Sequence, residues 1–163
     1  MKTMFNENRF NDVLMTANEG DYVFIHSAHN DESTGASEGA EARFGRGSNT
    51  ETYTRWLNDI YISSMRARGL IPVLVTAMPR TTDGVYNEGF NPDSPSIMKA
   101  AAANADVECI DLYENAKKYI DLVGAEQTKA IYMSIEAGET PGKTNSGSYA
   151  NGHPDNKIDG THY

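Results

Sequence analysis

Gly20-Asp21-Tyr22-Val23-Phe24-Ile25-His26-Ser27-Ala28-His29-Asn30-Asp31 is the stretch that decides the fold. Its centre, Tyr22-Val23-Phe24-Ile25, is an unbroken apolar run entered from a glycine. A strand with one wet face alternates apolar and polar residues, so a run without alternation reads as a strand covered on both faces, and therefore parallel. One later run has the same character. Leu70-Ile71-Pro72-Val73-Leu74-Val75-Thr76 carries its proline near the start, where a missing N–H is tolerated, and Val107-Glu108-Cys109-Ile110-Asp111-Leu112 makes a third strand.

The segments between these runs have helical periodicity. Phe10, Val13, Leu14 and Ala17 fall at i, i+3, i+4, i+7 within residues 7–18, and Glu19-Gly20 ends the pattern. In Thr52 to Arg68, Tyr53, Trp56, Leu57, Ile60, Tyr61 and Ser64 form one stripe that ends at Gly69. That stripe reads as core rather than as a sugar platform. An Ala-rich helix is expected over Ser96 to Asn104, after a Gly/Asn/Pro/Asp loop from Asp83 to Pro95, and two more helices near 113–123 and 125–133. Strands alternating with helices predict an α/β fold, a three-layer αβα sandwich with a parallel sheet.

Composition narrows the partners. A length of 163 residues suits one domain with a real core, although 39% hydrophobic residues and a mean hydropathy of -0.57 keep that core modest. A net charge of -9 without any Lys/Arg run argues against nucleic acid and against an anionic membrane surface. No apolar stretch approaches the length of a membrane span, and the first residues have no apolar leader region. Cys109, the single cysteine, cannot form an internal disulfide and is expected to be a buried strand residue.

Candidate chemistry lies beyond the strands. In open α/β sheets ligands bind outside the carboxyl ends of the strands, where the first run passes into His29-Asn30-Asp31. Asn30 reads either as an oxyanion donor, an uncharged amide meeting developing negative charge, or as an Asx turn ending the strand. Asp159-Gly160-Thr161-His162-Tyr163 places a carboxylate three residues before an imidazole in a Gly-containing loop. It reads either as a general-base pair, Asp159 fixing the tautomer of His162, or as a solvated loop. Gly35-Ala36-Ser37-Glu38-Gly39 matches the Gly-x-Ser-x-Gly elbow in letters, but no strand leads directly into it and no helical face follows, so it is read as a decoy. Residues 134–157 are an irregular Gly/Pro/Asn/Ser/Thr segment. His26, His29, His153 and His162 lack metal-site spacing, so no metal is expected.

Taken together, these motifs resemble the rhamnogalacturonan acetylesterase-like branch of the SGNH (GDSL-type) hydrolases. Gly20 to Ile25 followed by His29-Asn30-Asp31 is similar to the third block of that family. Pro72 to Thr76 with Pro79-Arg80 is similar to its next strand and substrate loop. Ala137-Gly138-Glu139, Asp155-Asn156-Lys157 and Asp159 to Tyr163 resemble its final block. The resemblance implies a flavodoxin-like SGNH fold in one domain over residues 1–163. It also implies a Ser-His-Asp triad completed by His162 and Asp159, Asn30 in the oxyanion hole, no cofactor, an acetylated pectic polysaccharide as substrate and an extracellular location.

The chain also departs from the family pattern. The family's Gly-Asp-Ser nucleophile block and its second block have no counterpart, and Ala28 stands where the third block usually has Gly. The expectation is a domain incomplete at both ends, whose nucleophile is not in this chain. Without the nucleophile strand, the strand at 22–28 is expected to expose an apolar edge completed by another chain or a self-associated copy. The rival expectation is a catalytically inactive fragment, a carbohydrate-binding or scaffold piece.

Overall fold

The computed structural model describes residues 1–27, 29, 31, 50–87 and 94–131. In chain order these form α1 (Lys2–Asn6), α2 (Arg9–Thr16), β1 (Tyr22–His26), α3 (Thr50–Arg55), a π-helical segment (Trp56–Ile62), α4 (Ser63–Ala67) and β2 (Ile71–Val75). β3 (Thr81–Thr82), β4 (Val85–Tyr86), α5 (Ser94–Ala105), β5 (Glu108–Ile110) and α6 (Leu112–Ile131) follow. They belong to two compact units, one drawn from Met1–Met78 and Asn91–Asn115, the other from Pro79–Phe90 and Ala116–Tyr163.

The first unit contains the expected parallel sheet, in the order β1-β2-β5. Tyr22 pairs with Ile71 and His26 with Val75, while Val73 pairs with Glu108 and Val75 with Ile110. Both β1 and β2 start from one tie, in which Gly20 N–H donates to the Gly69 carbonyl (2.8 Å) and Ile71 N–H to that of Asp21 (2.9 Å). On one face of the sheet Ile25 and Leu74 join Phe10, Tyr53, Leu57, Tyr61, Met65, Met98 and Ala101 in a single buried cluster. The helical stripe foreseen over 52–68 is therefore core. Ile62, on the π-helical segment, and Met65, one turn after Tyr61 on α4, are buried along with the expected Leu57 and Tyr61.

Three local readings are corrected. Tyr22 and Phe24 are not covered; they are 65% and 60% exposed, because β1 is an edge strand among the described residues and nothing described overlies their face. Cys109 is half-buried rather than buried. The expected loop after Asp83 begins inside a hairpin, in which Thr81 pairs with Tyr86 and Thr82 with Val85 around Asp83-Gly84. Asp83 (φ 51) and Gly84 (φ 78) take the paired left-handed conformations of a tight hairpin turn.

That hairpin lies in the second unit. A Cβ on Gly84 would meet the Ala125 carbonyl oxygen at 2.1 Å, so glycine is required there by backbone contact as well as by φ. The Lys117 ammonium sits 4.7 Å from the centre of the Tyr86 ring. The two helices expected near 113–123 and 125–133 correspond to α6, which is broken by an extended, left-handed Gly124 (φ 77, ψ 172).

Candidate active site at the carboxyl ends of the strands

β1 and β2 run parallel and in register, so the described residues leaving them, Ser27, His29 and Asp31 and Thr76 to Met78, emerge at one end of the sheet. Three side chains hold the segment after β1. The Tyr53 hydroxyl donates to the Ser27 carbonyl (2.9 Å). His29 Nε2 lies 2.8 Å from the Met78 carbonyl oxygen, which can only accept, so this nitrogen carries the proton and donates. Asp31 is 5% exposed, accepting from Ser27 Oγ at 2.9 Å and from the Met1 amine at 2.8 Å. Tyr61 closes the cluster by donating to the Met1 carbonyl (2.7 Å). Burial, reinforced by the Asp31 charge, pushes the Tyr61 phenol up to about 12.

Ser27, His29 and Asp31 have the residue types of a nucleophilic triad but not its hydrogen-bond pattern. In a triad the hydroxyl donates to the imidazole and the imidazole to the carboxylate. Here Ser27 gives its proton directly to the carboxylate, while the Nε2–H of His29 is committed to a backbone carbonyl. The cluster is an anchor. Asn30 is next in sequence to two of the anchored residues but lies outside the described residues, as do Asp159, His162 and the Gly35–Gly39 motif.

A second polar knot joins the ends of β2 and β5. Thr76 is fully buried; its hydroxyl donates to Asp111 Oδ1 (3.2 Å) and accepts from the Tyr113 N–H (2.8 Å). Asp111 caps the start of α6 through the Glu114 N–H (3.3 Å) and pairs with Lys99 at 2.9 Å. Burial raises the Asp111 carboxyl, but the Lys99 ammonium, the Glu114 N–H and the Thr76 hydroxyl more than offset this and hold it below the usual range. The same hydrogen bond pushes the Lys99 ammonium up. Burial raises the Cys109 thiol, which disfavours the reactive thiolate.

Neither knot was singled out from sequence, although Asp111-Leu112-Tyr113-Glu114 carries the spacing of a helix capping box. Among the described residues no group of three or more His, Cys, Asp or Glu side chains is arranged to hold a metal ion. No described helix is long and apolar enough to cross a membrane.

Comparison with known proteins finds relatives of the chain. The chain is 31% identical to the probable rhamnogalacturonan acetylesterase YesY of Bacillus subtilis (strain 168) over 139 residues, 83% of this chain and 59% of that protein. It is 25% identical to the rhamnogalacturonan acetylesterase RhgT of the same organism over 159 residues, 96% of this chain and 60% of that protein. Both relatives are named rhamnogalacturonan acetylesterases, the branch of the SGNH hydrolases that the motifs of this chain resemble. It spans about three fifths of the length of these curated relatives. No family model matches it. The crystal structure of the protein YxiM from Bacillus subtilis superposes with a TM-score of 0.63 at 21% identity, covering 80% of this chain and 34% of that one. That likeness bears out the expected α/β fold with its parallel sheet.

Proposed function

We propose that this chain carries the general base and an oxyanion donor of a carbohydrate O-acetylesterase acting on acetylated rhamnogalacturonan in pectin. The observation that carries this reading is the relationship to two rhamnogalacturonan acetylesterases over most of the chain. The anchored residues on either side of Asn30 support it, since an oxyanion donor stabilises a transition state best when it is held in place beforehand.

In the proposed reaction a serine hydroxyl of the family's nucleophile block attacks the acetyl carbonyl carbon while His162 takes the hydroxyl proton. Asn30 donates to the oxygen that becomes negative, and Asp159 holds the imidazole and stabilises its cation. Collapse breaks the bond to the sugar oxygen, which receives the proton from His162. Water, deprotonated by the same base, then releases acetate and restores the serine. The chemistry requires no cofactor. Because the polymer is a cell-wall component, we assign an extracellular site of action.

The test is release of acetate from acetylated rhamnogalacturonan by the chain alone and mixed with the part of YesY outside the match. Acetate release that falls roughly a thousandfold or more in His162→Ala supports the reading. No release under either condition, with sugar binding retained, shows a binding piece instead. Release abolished by Ser37→Ala would assign the nucleophile to the Gly35–Gly39 motif.

A further inference from the structure

The ladder that joins β1 to β2 ends where His26 faces Val75. Past that point a side chain takes over from the backbone: His29 Nε2–H donates to the Met78 carbonyl oxygen at 2.8 Å, across 49 positions of sequence. The other contacts of the segment act elsewhere. Tyr53 holds the Ser27 carbonyl from α3, and the Ser27 hydroxyl bonds to Asp31 inside the segment itself. Of these contacts, that of His29 ties the exit of β1 to the exit of β2. An imidazole suits this task in one respect that bears on the reaction. Nε2 carries its proton both in the neutral tautomer that donates to Met78 and in the imidazolium, so the tie survives protonation of the ring and keeps Nε2 from acting as a base.

We propose that His29 is a positioning residue of the esterase reaction: its bond to Met78 holds the segment that carries Asn30 against the exit of β2, and the imidazole takes no proton from nucleophile or substrate. This rests on the reading of Asn30 as oxyanion donor. A donor held in place beforehand is worth about a hundredfold to a thousandfold in kcat, and a displacement of about 1 Å forfeits on the order of a hundredfold. The donor acts where charge develops, so its misplacement falls on kcat and spares KM. Two substitutions separate a tie from a base. Glutamine reaches as far as the imidazole and presents an amide N–H close to where Nε2–H stands, but it cannot take a proton from a hydroxyl; leucine fills similar space and donates nothing.

The experiment is hydrogen exchange, resolved by residue with NMR, on the 163-residue chain and its His29→Leu and His29→Gln variants. The backbone N–H groups of Ser27, His29 and Asp31 are expected to exchange about tenfold faster in His29→Leu and within about threefold of the parent in His29→Gln. Unchanged exchange at Leu74 and Val75 of β2 shows that each variant is folded. Acetate release, measured with the part of YesY outside the match, is expected to lose about tenfold to a hundredfold in kcat at unchanged KM in His29→Leu, and to return to within about threefold in His29→Gln. The proposal is overturned if exchange at Ser27, His29 and Asp31 is the same in His29→Leu as in the parent, or if that variant keeps the parental kcat. It is equally overturned if glutamine is as damaging as leucine, which in acetate release makes the imidazole a base. Exchange is read without catalysis, so a mixture that releases no acetate refutes the esterase reading while exchange still decides the tie.

Discussion

Replacing Thr76 with valine tests whether the carboxyl ends of β2 and β5 are held by a single hydroxyl. Valine keeps the shape of the fully buried side chain and removes only its polar atom. Two bonds go with it, the donation to Asp111 Oδ1 at 3.2 Å and the acceptance from the Tyr113 N–H at 2.8 Å. Asp111 keeps Lys99 and the Glu114 N–H, so its loss is one ordinary hydrogen bond, about 1 kcal/mol. The Tyr113 N–H is the costlier term. As a donor in the first turn of α6 it has no partner within the helix, and a part-buried N–H left unsatisfied costs about 1 to 2 kcal/mol. The expected total is about 2 to 3 kcal/mol, read in urea as a lower midpoint at unchanged slope, with a melting temperature lower by about 5 to 10 °C. Thr76→Ser keeps the hydroxyl and loses a buried methyl, which costs about 1 kcal/mol. If valine falls within about 0.5 kcal/mol of the parent, or serine proves worse than valine, the hydroxyl is not what holds this end of the sheet.

Two more outcomes follow from the same geometry. The folded-state pKa of Asp111 is depressed, so its contribution is present above the unfolded value of about 3.9 and is lost as pH falls through the folded value. Asp111→Asn still caps α6 and loses the charge interaction with the partly exposed Lys99, costing about 0.5 kcal/mol at pH 7. Its stability is flatter than that of the parent below about pH 5, and acid titration of urea midpoints that gave parallel curves would refute the assignment. Gly84→Ala suffers both a left-handed φ of 78 and a Cβ 2.1 Å from the Ala125 carbonyl, for a cost of about 3 kcal/mol or more. Gly20→Ala has a left-handed φ of 88 with nothing within 4 Å, and costs about 1 kcal/mol. Equal costs in urea unfolding would mean that the hairpin does not pack against Ala125 as described.

Signals written in consecutive residues were legible, and contacts between distant ones were not. The runs around Val23, Val73 and Cys109 located three strands and their parallel sense, although burial on both faces, the reason for expecting that sense, holds for β2 and not for β1, where Tyr22 and Phe24 are exposed. The break between the last two helices was legible because Gly124 is the residue that takes a positive φ without strain. The hairpin at Thr81–Tyr86 was overlooked although Asp83-Gly84 is a strong turn signal, because two-residue strands have too little pattern to register. The π-helical segment has no comparable signature. The stripe through Tyr53, Leu57 and Tyr61 fits an ordinary helix, which Met65 continues at the same spacing, and only packing showed that Ile62 shares in it. Around the candidate site, the position of His29 and Asp31 beyond the end of β1 followed from their neighbours. The anchoring of Ser27 and His29 did not, because the Tyr53 hydroxyl and the Met78 carbonyl are far away in sequence.

The difference between β1 and β2 is the more instructive mismatch. Both strands are apolar along their length and pair in register, yet Leu74 is fully buried and Val73 nearly so, whereas Phe24 is mostly exposed. Residue pattern records the surroundings for which a strand is suited. Burial records those it has in one chain. Where the two agree, as in β2, the sheet is complete around the strand. Where they disagree along a whole edge, the apolar surface there measures what the strand stands to gain from a neighbour. At about 25 cal/mol per Å² of apolar surface, two aromatic side chains that bury most of their area contribute several kcal/mol. That gain lies beside the segment carrying His29, Asn30 and Asp31, because β1 leads directly into it.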